Sequence, residues 1–140
     1  MLRTVERELA DAIAALQGFE TTPVLIEDKG GISAELAEAI GKTSLAVVVG
    51  FGGFTDESPD FPTPLGTLKL RVTLFETPET NRALAGRPTL SVAAEAIAHG
   101  LKLLPTSSGR LVLERIESPQ DLGEGVISAA VTFLIRNAKL

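Results

Sequence analysis

The chain contains no cysteine, no tryptophan and no tyrosine, and its 140 residues include a single histidine and a single methionine. Without cysteine there is no disulfide framework, no thiolate nucleophile and no cysteine-ligated zinc site. Such a composition suits a reducing cytoplasm. Six phenylalanines are the only large aromatic side chains, so the core must be built from Leu, Ile, Val and Ala. Long hydrophobic runs are missing too, and nothing approaches the ~18 apolar residues that read as a membrane span. The opening residues, MLRTVERELADAI, mix acids and bases and carry no apolar signal segment. The expectation is a soluble, cytoplasmic protein with no membrane partner.

Basic charge is also scarce. Thirteen Lys and Arg face eighteen Asp and Glu, a net charge of −5. The charges are dispersed, and no basic stripe is present of the kind that displaces counterions from phosphates. Direct nucleic-acid binding is therefore disfavoured. What remains is an ordinary globular composition, 44% hydrophobic. A chain of this length is most simply one domain, 1–140. Folded, a domain of this size buries roughly 68–70% of the surface its unfolded chain exposes.

The clearest pattern is Gly66 to Thr77, GTLKLRVTLFET. Leu68, Leu70, Val72 and Leu74 alternate with Lys69, Arg71 and Thr73, so a strand here has one apolar and one polar face. This stretch is expected to be the spine of the fold. Before it, Val5, Leu9, Ala12, Ile13 and Leu16 form a helical stripe, with Thr4 as N-cap and Gly18 as stop. Thr21 to Glu27 reads as a short edge strand opened by Pro23. Asp28-Lys29-Gly30-Gly31 reads as a turn. Ser33 then caps a short helix to about Ile40, closed by Gly41, with Leu36 and Ile40 buried and Ile32 packing back across the cap. SLAVVVGFGGF, 44–54, begins as a strand covered on both faces and is loosened by glycines that suggest a bulge. TDESPDFPTPL, 55–65, reads as an irregular exposed connection.

Beyond the spine, Pro78 to Pro88 is turn-rich. Thr89 is placed to cap a long helix carrying Leu90, Ala94, Ile97, Leu101 and Leu104 and ending at Pro105. Thr106 to Gly109 reads as a turn, Arg110 to Ile116 as a strand and Glu117 to Gly125 as a loop. The final strand, Val126 to Arg136, places Ile127, Ala129, Val131, Phe133 and Ile135 on one face and Ser128, Ala130, Thr132 and Leu134 on the other. The fold class is α+β: an antiparallel sheet of about four to five strands, with two long helices and one short helix packed mainly on one face.

No stretch carries recognisable chemistry. His99 lies beside the helical stripe without a nucleophile pattern around it and reads as a surface or boundary residue. Gly50-Phe51-Gly52-Gly53 lacks the Gly-Lys-Ser/Thr and the helix that a phosphate loop requires, and it lacks the βαβ setting of a dinucleotide site. Asp56, Glu57 and Asp60 lack calcium-loop spacing and read as a solvated acidic loop. Ser107-Ser108-Gly109 is turn chemistry. No catalytic residue, cofactor or metal is expected. The polar face of the spine, Lys69, Arg71, Thr73 and Phe75, has two readings. It is either a solvated face or a contact surface that meets the acidic loop, with Phe61, of another copy.

Across nearly its full length the chain resembles the small tail terminator, or tail completion, proteins of tailed phages and prophages, most closely the Mu-like prophage type. The resemblance lies in an amphipathic N-terminal helix, then VLIED, then a short helix leading into SLAVVVGF. TLKLRVTLFETPETNR, TLSVAAEAIAHGLKLL and LVLERIESPQDLGEGVISAAVTFLIR follow, the last with Ile116, Ser118, Pro119 and Leu122 ahead of the final strand. It implies a non-enzymatic α+β subunit that forms a ring, usually hexameric, at the head-proximal end of the tail tube. Its partners would be copies of itself, the tube and the head connector. Its place would be the host cytoplasm during assembly and then the virion tail. Two other readings stay open: a small-molecule-binding or enzymatic module using the 44–54 glycines, and an adaptor of a phage-like contractile machine.

Overall fold

The computed structural model describes residues 2–27, 33–81 and 88–139. Its central element is the strand expected from the alternation at 66–77, which runs from Leu65 to Glu76. Call it β3. Leu68, Leu70, Val72 and Leu74 are all buried, at 2% exposure or less, while the intervening Lys69, Arg71, Thr73 and Phe75 are not. The period of two thus divides the strand into a core face and an outer face, as the sequence requires.

Three strands complete the middle of the sheet. β1 (Val24–Ile26), β2 (Leu45–Asp56) and β8 (Val126–Lys139) stand with β3 in the order β1-β2-β3-β8, and β6 (Val112–Ile116) follows beyond β8. β7 (Gln120–Gly123) also pairs with β8, which makes the sheet six-stranded. β4 (Pro105–Thr106) and β5 (Gly109–Arg110) form a separate small hairpin. The α+β class is as expected. Two details differ from the expectation of an antiparallel sheet with four to five strands. β1 pairs parallel to β2, because a helix crosses over between them and returns the chain in the same direction. The segment expected as a loop at 117–125 contains β7, whose short exposed run has no apolar alternation to announce it.

Two helices pack on the core face. α1 (Leu2–Ala14) buries Val5, Leu9 and Ile13 completely. α4 (Leu90–Leu101) buries Leu90, Ala93, Ala94, Ile97, Ala98 and Leu101. Both contribute to one cluster with Leu45, Val47, Val49, Leu70, Val72, Val131, Phe133 and Ile135 of the sheet. α1 begins at Leu2, so Thr4 sits inside the first turn and is not its N-cap. Gly18 does take the left-handed conformation, φ +92°, that turns the chain toward Phe19, which is 1% exposed.

α2 (Ser33–Thr43) packs against β2. Its Leu36 and Ile40 are half-buried and lie outside the main core. Ala46 and Val48 alternate with the core residues of β2, lie outside the same cluster and are still buried. The helix runs through Gly41 to Thr43. Ser44 ends it instead, at φ +62°, with its N–H on the Ile40 carbonyl at 2.8 Å. Its hydroxyl lies 2.6 Å from that of Thr80, a side-chain tie that helps hold a conformation more often given to glycine. The turn expected at Asp28-Lys29-Gly30-Gly31, the packing of Ile32 and the cap expected from the Ser33 side chain lie outside the described residues.

The connection after β3 begins with one helical turn, α3 (Pro78–Asn81). The rest of the turn-rich stretch, residues 82–87, lies outside the described residues. Thr89 occupies the N-cap position of α4 but makes no side-chain capping bond. The buried carboxylate of Glu76 does that work from the end of β3. Its Oε2 accepts the Leu90 N–H at 3.1 Å and the Asn81 amide at 2.5 Å. A carboxylate beside the first N–H groups of a helix is favoured by both the unpaired donors and the helix dipole. α4 ends at Leu101, short of the expected Leu104, because Leu103 adopts φ +66° and its N–H bonds the Leu111 carbonyl.

Candidate interaction surface

β2 and β3 are longer than the irregular reading of 55–65 allowed. Thr55 and Asp56 pair with Thr67 and Gly66, and only 57–64 lies outside the strands. Two local features let the strands run on. Gly52 is passed over in the register between Phe51 and Gly53, which is the bulge expected from the glycines. Gly66 is buried, and a Cβ there would fall on the Thr55 carbonyl oxygen and lie 2.9 Å from the Glu57 nitrogen. Only glycine permits so close a backbone approach.

The turn is closed by the Glu57 N–H on the Leu65 carbonyl at 3.0 Å and the Phe61 N–H on Ser58 at 3.0 Å. Asp56 accepts the Ser58 N–H at 3.0 Å, and Glu57 accepts the Thr67 hydroxyl at 2.7 Å. These acids therefore shape the turn, as Asx-type bonding commonly does. Asp60 and Phe61 stand at the tip without such bonds, and Phe61 is 63% exposed.

The outer face of the sheet has two halves. Near the β2 start, Phe75 lies between Ala46 and Ser128, and Thr73 between Val48 and Ala130. These neighbours are small or apolar, and the polar face ends here. Toward the hairpin, Arg71 lies between Gly50 and Thr132, and Lys69 between Gly53 and Leu134. Beside these cations lies a groove of about 330 Å³ lined by Phe51, Gly52, Lys69, Arg71, Glu114, Arg115, Glu117 and Thr132. A second groove of about 500 Å³, lined by Glu57, Thr67, Leu134, Arg136 and Asn137, continues toward the hairpin end.

Within the groove the cations have partners in the chain itself. Arg71 meets Glu117 at 2.9 Å and Lys69 meets Glu114 at 3.4 Å. The structure thus brings neither to Asp56, Glu57 or Asp60, and a pairing of the spine cations with the acidic loop would compete with these bonds. Half-exposed pairs of this kind contribute little to stability. Arg115, beside them, makes no ion pair with any described residue. Sequence reading passed over Glu114, Arg115 and Glu117. The alternation in β6 is weak, and the registers that place Arg115 beside Thr132 and Ile116 beside Val131 depend on where β6 docks. That position is set by tertiary packing rather than local pattern.

His99 is exposed on α4 and lines neither outer groove. A third groove, about 250 Å³, lies where the N-terminal part of α4 meets the β6–β7 connection, lined by Ser91, Ala94, Glu95, Ile116, Glu117, Ser118, Pro119 and Ala129. It also lacks His99. Ser107 and Ser108 form the tip of the β4–β5 hairpin, where Thr106 Oγ1 accepts the Ser108 N–H at 3.2 Å. Among the described residues, no group of three His, Cys, Asp or Glu side chains is placed to hold a metal ion. No helix among them is long and apolar enough to cross a membrane.

No protein-family model and no curated protein matches the chain. Among solved structures, it is similar to a chain of the virion of a native gene transfer agent particle. The two share 11% sequence identity with a TM-score of 0.48, and the match covers 94% of this chain and 84% of that one.

Proposed function

We propose that this protein is a non-enzymatic structural subunit of a phage or prophage tail, a ring-forming terminator or completion protein at the head-proximal end of the tail tube. The observation that carries the reading is the inequality of the sheet's two edges. β1 pairs only with Val47, Val48 and Val49 of β2, so residues 50–56 have no further partner strand among the described residues on that side. The other edge is formed by β6 and β7 against β8. An unpaired strand edge presents N–H and C=O groups that a second chain can meet. When the patch used on one subunit differs from the patch used on its neighbour, the contact is heterologous and repeats by rotation into a ring. The full-length resemblance of the sequence to tail terminators points the same way.

In this reading the partners are further copies of the chain, the tail tube and the head connector. The protein works in the host cytoplasm during assembly and resides in the virion tail afterwards. Light scattering combined with negative-stain imaging, with and without tail tubes, tests the proposal. Rings, free or seated on tube ends, are the expected result. A chain that stays monomeric at high concentration and also ignores tube ends would sink it.

A further inference from the structure

Resting on the ring reading, we infer that the hairpin tip of one subunit, Asp60 and Phe61, docks into the charged groove of the next, against Arg115 and Phe51. The occupant is thus a second copy of this chain. Charge complementarity is the first support. The groove carries Lys69, Arg71 and Arg115 against Glu114 and Glu117, and both carboxylates are already paired with the first two cations. Arg115 is left as the guanidinium in surplus, on a chain whose overall charge is −5. Asp60 is the complementary group: an exposed carboxylate to which Arg115 can offer two N–H donors at once.

The aromatic residues supply the second support. Phe51 at the groove is 47% exposed and Phe61 at the tip is 63% exposed. Both are large apolar side chains held in water beside charges, the arrangement of an aromatic anchor with a polar rim. Offset or edge-to-face contact between two phenyl rings adds to the area they bury. Tip and groove are different patches, so the contact is heterologous, as ring closure by rotation requires.

A charge swap tests it. Arg115 and Asp60 are both exposed, so Arg115→Asp and Asp60→Arg should leave the fold intact, which circular dichroism and melting would verify. Self-association of the full chain, measured by sedimentation equilibrium, should weaken about tenfold in each single variant. It should recover in the double variant, where the same pair faces in the opposite sense. Single variants that associate like wild type would overturn the contact while leaving the ring reading in place. A double variant as weak as the singles would also overturn it. So would a wild-type chain that is monomeric alone yet caps tail tubes, again leaving the ring reading in place. A chain that neither associates nor caps tubes would end both.

Discussion

The two faces of β3 differ in what they demand of their residues. On the core face, Gly66, Leu68, Leu70, Val72, Leu74 and Glu76 are all buried. On the outer face, Lys69 and Arg71 sit half-exposed beside Gly50, Gly53 and Thr132, with open groove around them. One strand therefore holds the fold together on one side and leaves a charged, aromatic-edged surface on the other. The difference teaches where sequence is constrained by folding and where it is free to serve contacts between molecules.

The largest effect should come from the middle of the core face. Leu70→Ala removes a completely buried side chain and should cost about 2–5 kcal/mol, read as a fall in the urea midpoint. A loss no larger than that of an outer-face truncation would erase the distinction between the faces. Next comes Glu76→Ala, which leaves the Leu90 N–H without its acceptor and the Asn81 amide with only the Pro88 carbonyl, and should cost about 1–3 kcal/mol. The companion Thr89→Ala sharpens the point. Thr89 makes no capping bond, so its truncation should stay within about 0.5 kcal/mol. If Thr89→Ala proves the more damaging of the two, the buried carboxylate is not what caps α4.

Gly66→Ala should destabilise by about 1–3 kcal/mol through overpacking, since the added methyl meets the backbone of the paired strand. A neutral outcome in thermal melting would show that the hairpin end can open. On the outer face the effect should be small. Arg71→Ala breaks the 2.9 Å bond to Glu117, but with a half-exposed partner it should cost less than about 1 kcal/mol. A larger loss would mean the groove cations are structural after all.

Much of this division was legible in the sequence. The alternation through Leu68, Leu70, Val72 and Leu74 predicts both the strand and its buried face, because a period of two is a local property. The stripe of α4 and the bulge at Gly52 were legible for the same reason. The misread places share a different cause. Thr4 and Gly41 have the residue types of helix ends, yet α1 already contains Thr4 and α2 runs past Gly41 until Ser44 ends it. Thr89 does stand at the N-cap of α4, but the capping bond comes from the distant Glu76. β7 has too little apolar content to announce itself and is drawn into the sheet by pairing with β8. The partners of Lys69 and Arg71 were missed because Glu114 and Glu117 reach them only through the docking of β6 on β8. Local pattern carries no information about such a register.

Amide hydrogen exchange, followed by mass spectrometry on the free chain and on the chain assembled at tail-tube ends, tests the division most directly. The account predicts that assembly slows exchange in residues 50–56 of β2 and in the 57–64 tip. Exchange in the core strands β3 and β8, slow already, should hardly change. Protection gained on the exposed side of α1 and α4, with the β2 edge and hairpin tip exchanging as fast as in the free chain, would contradict it.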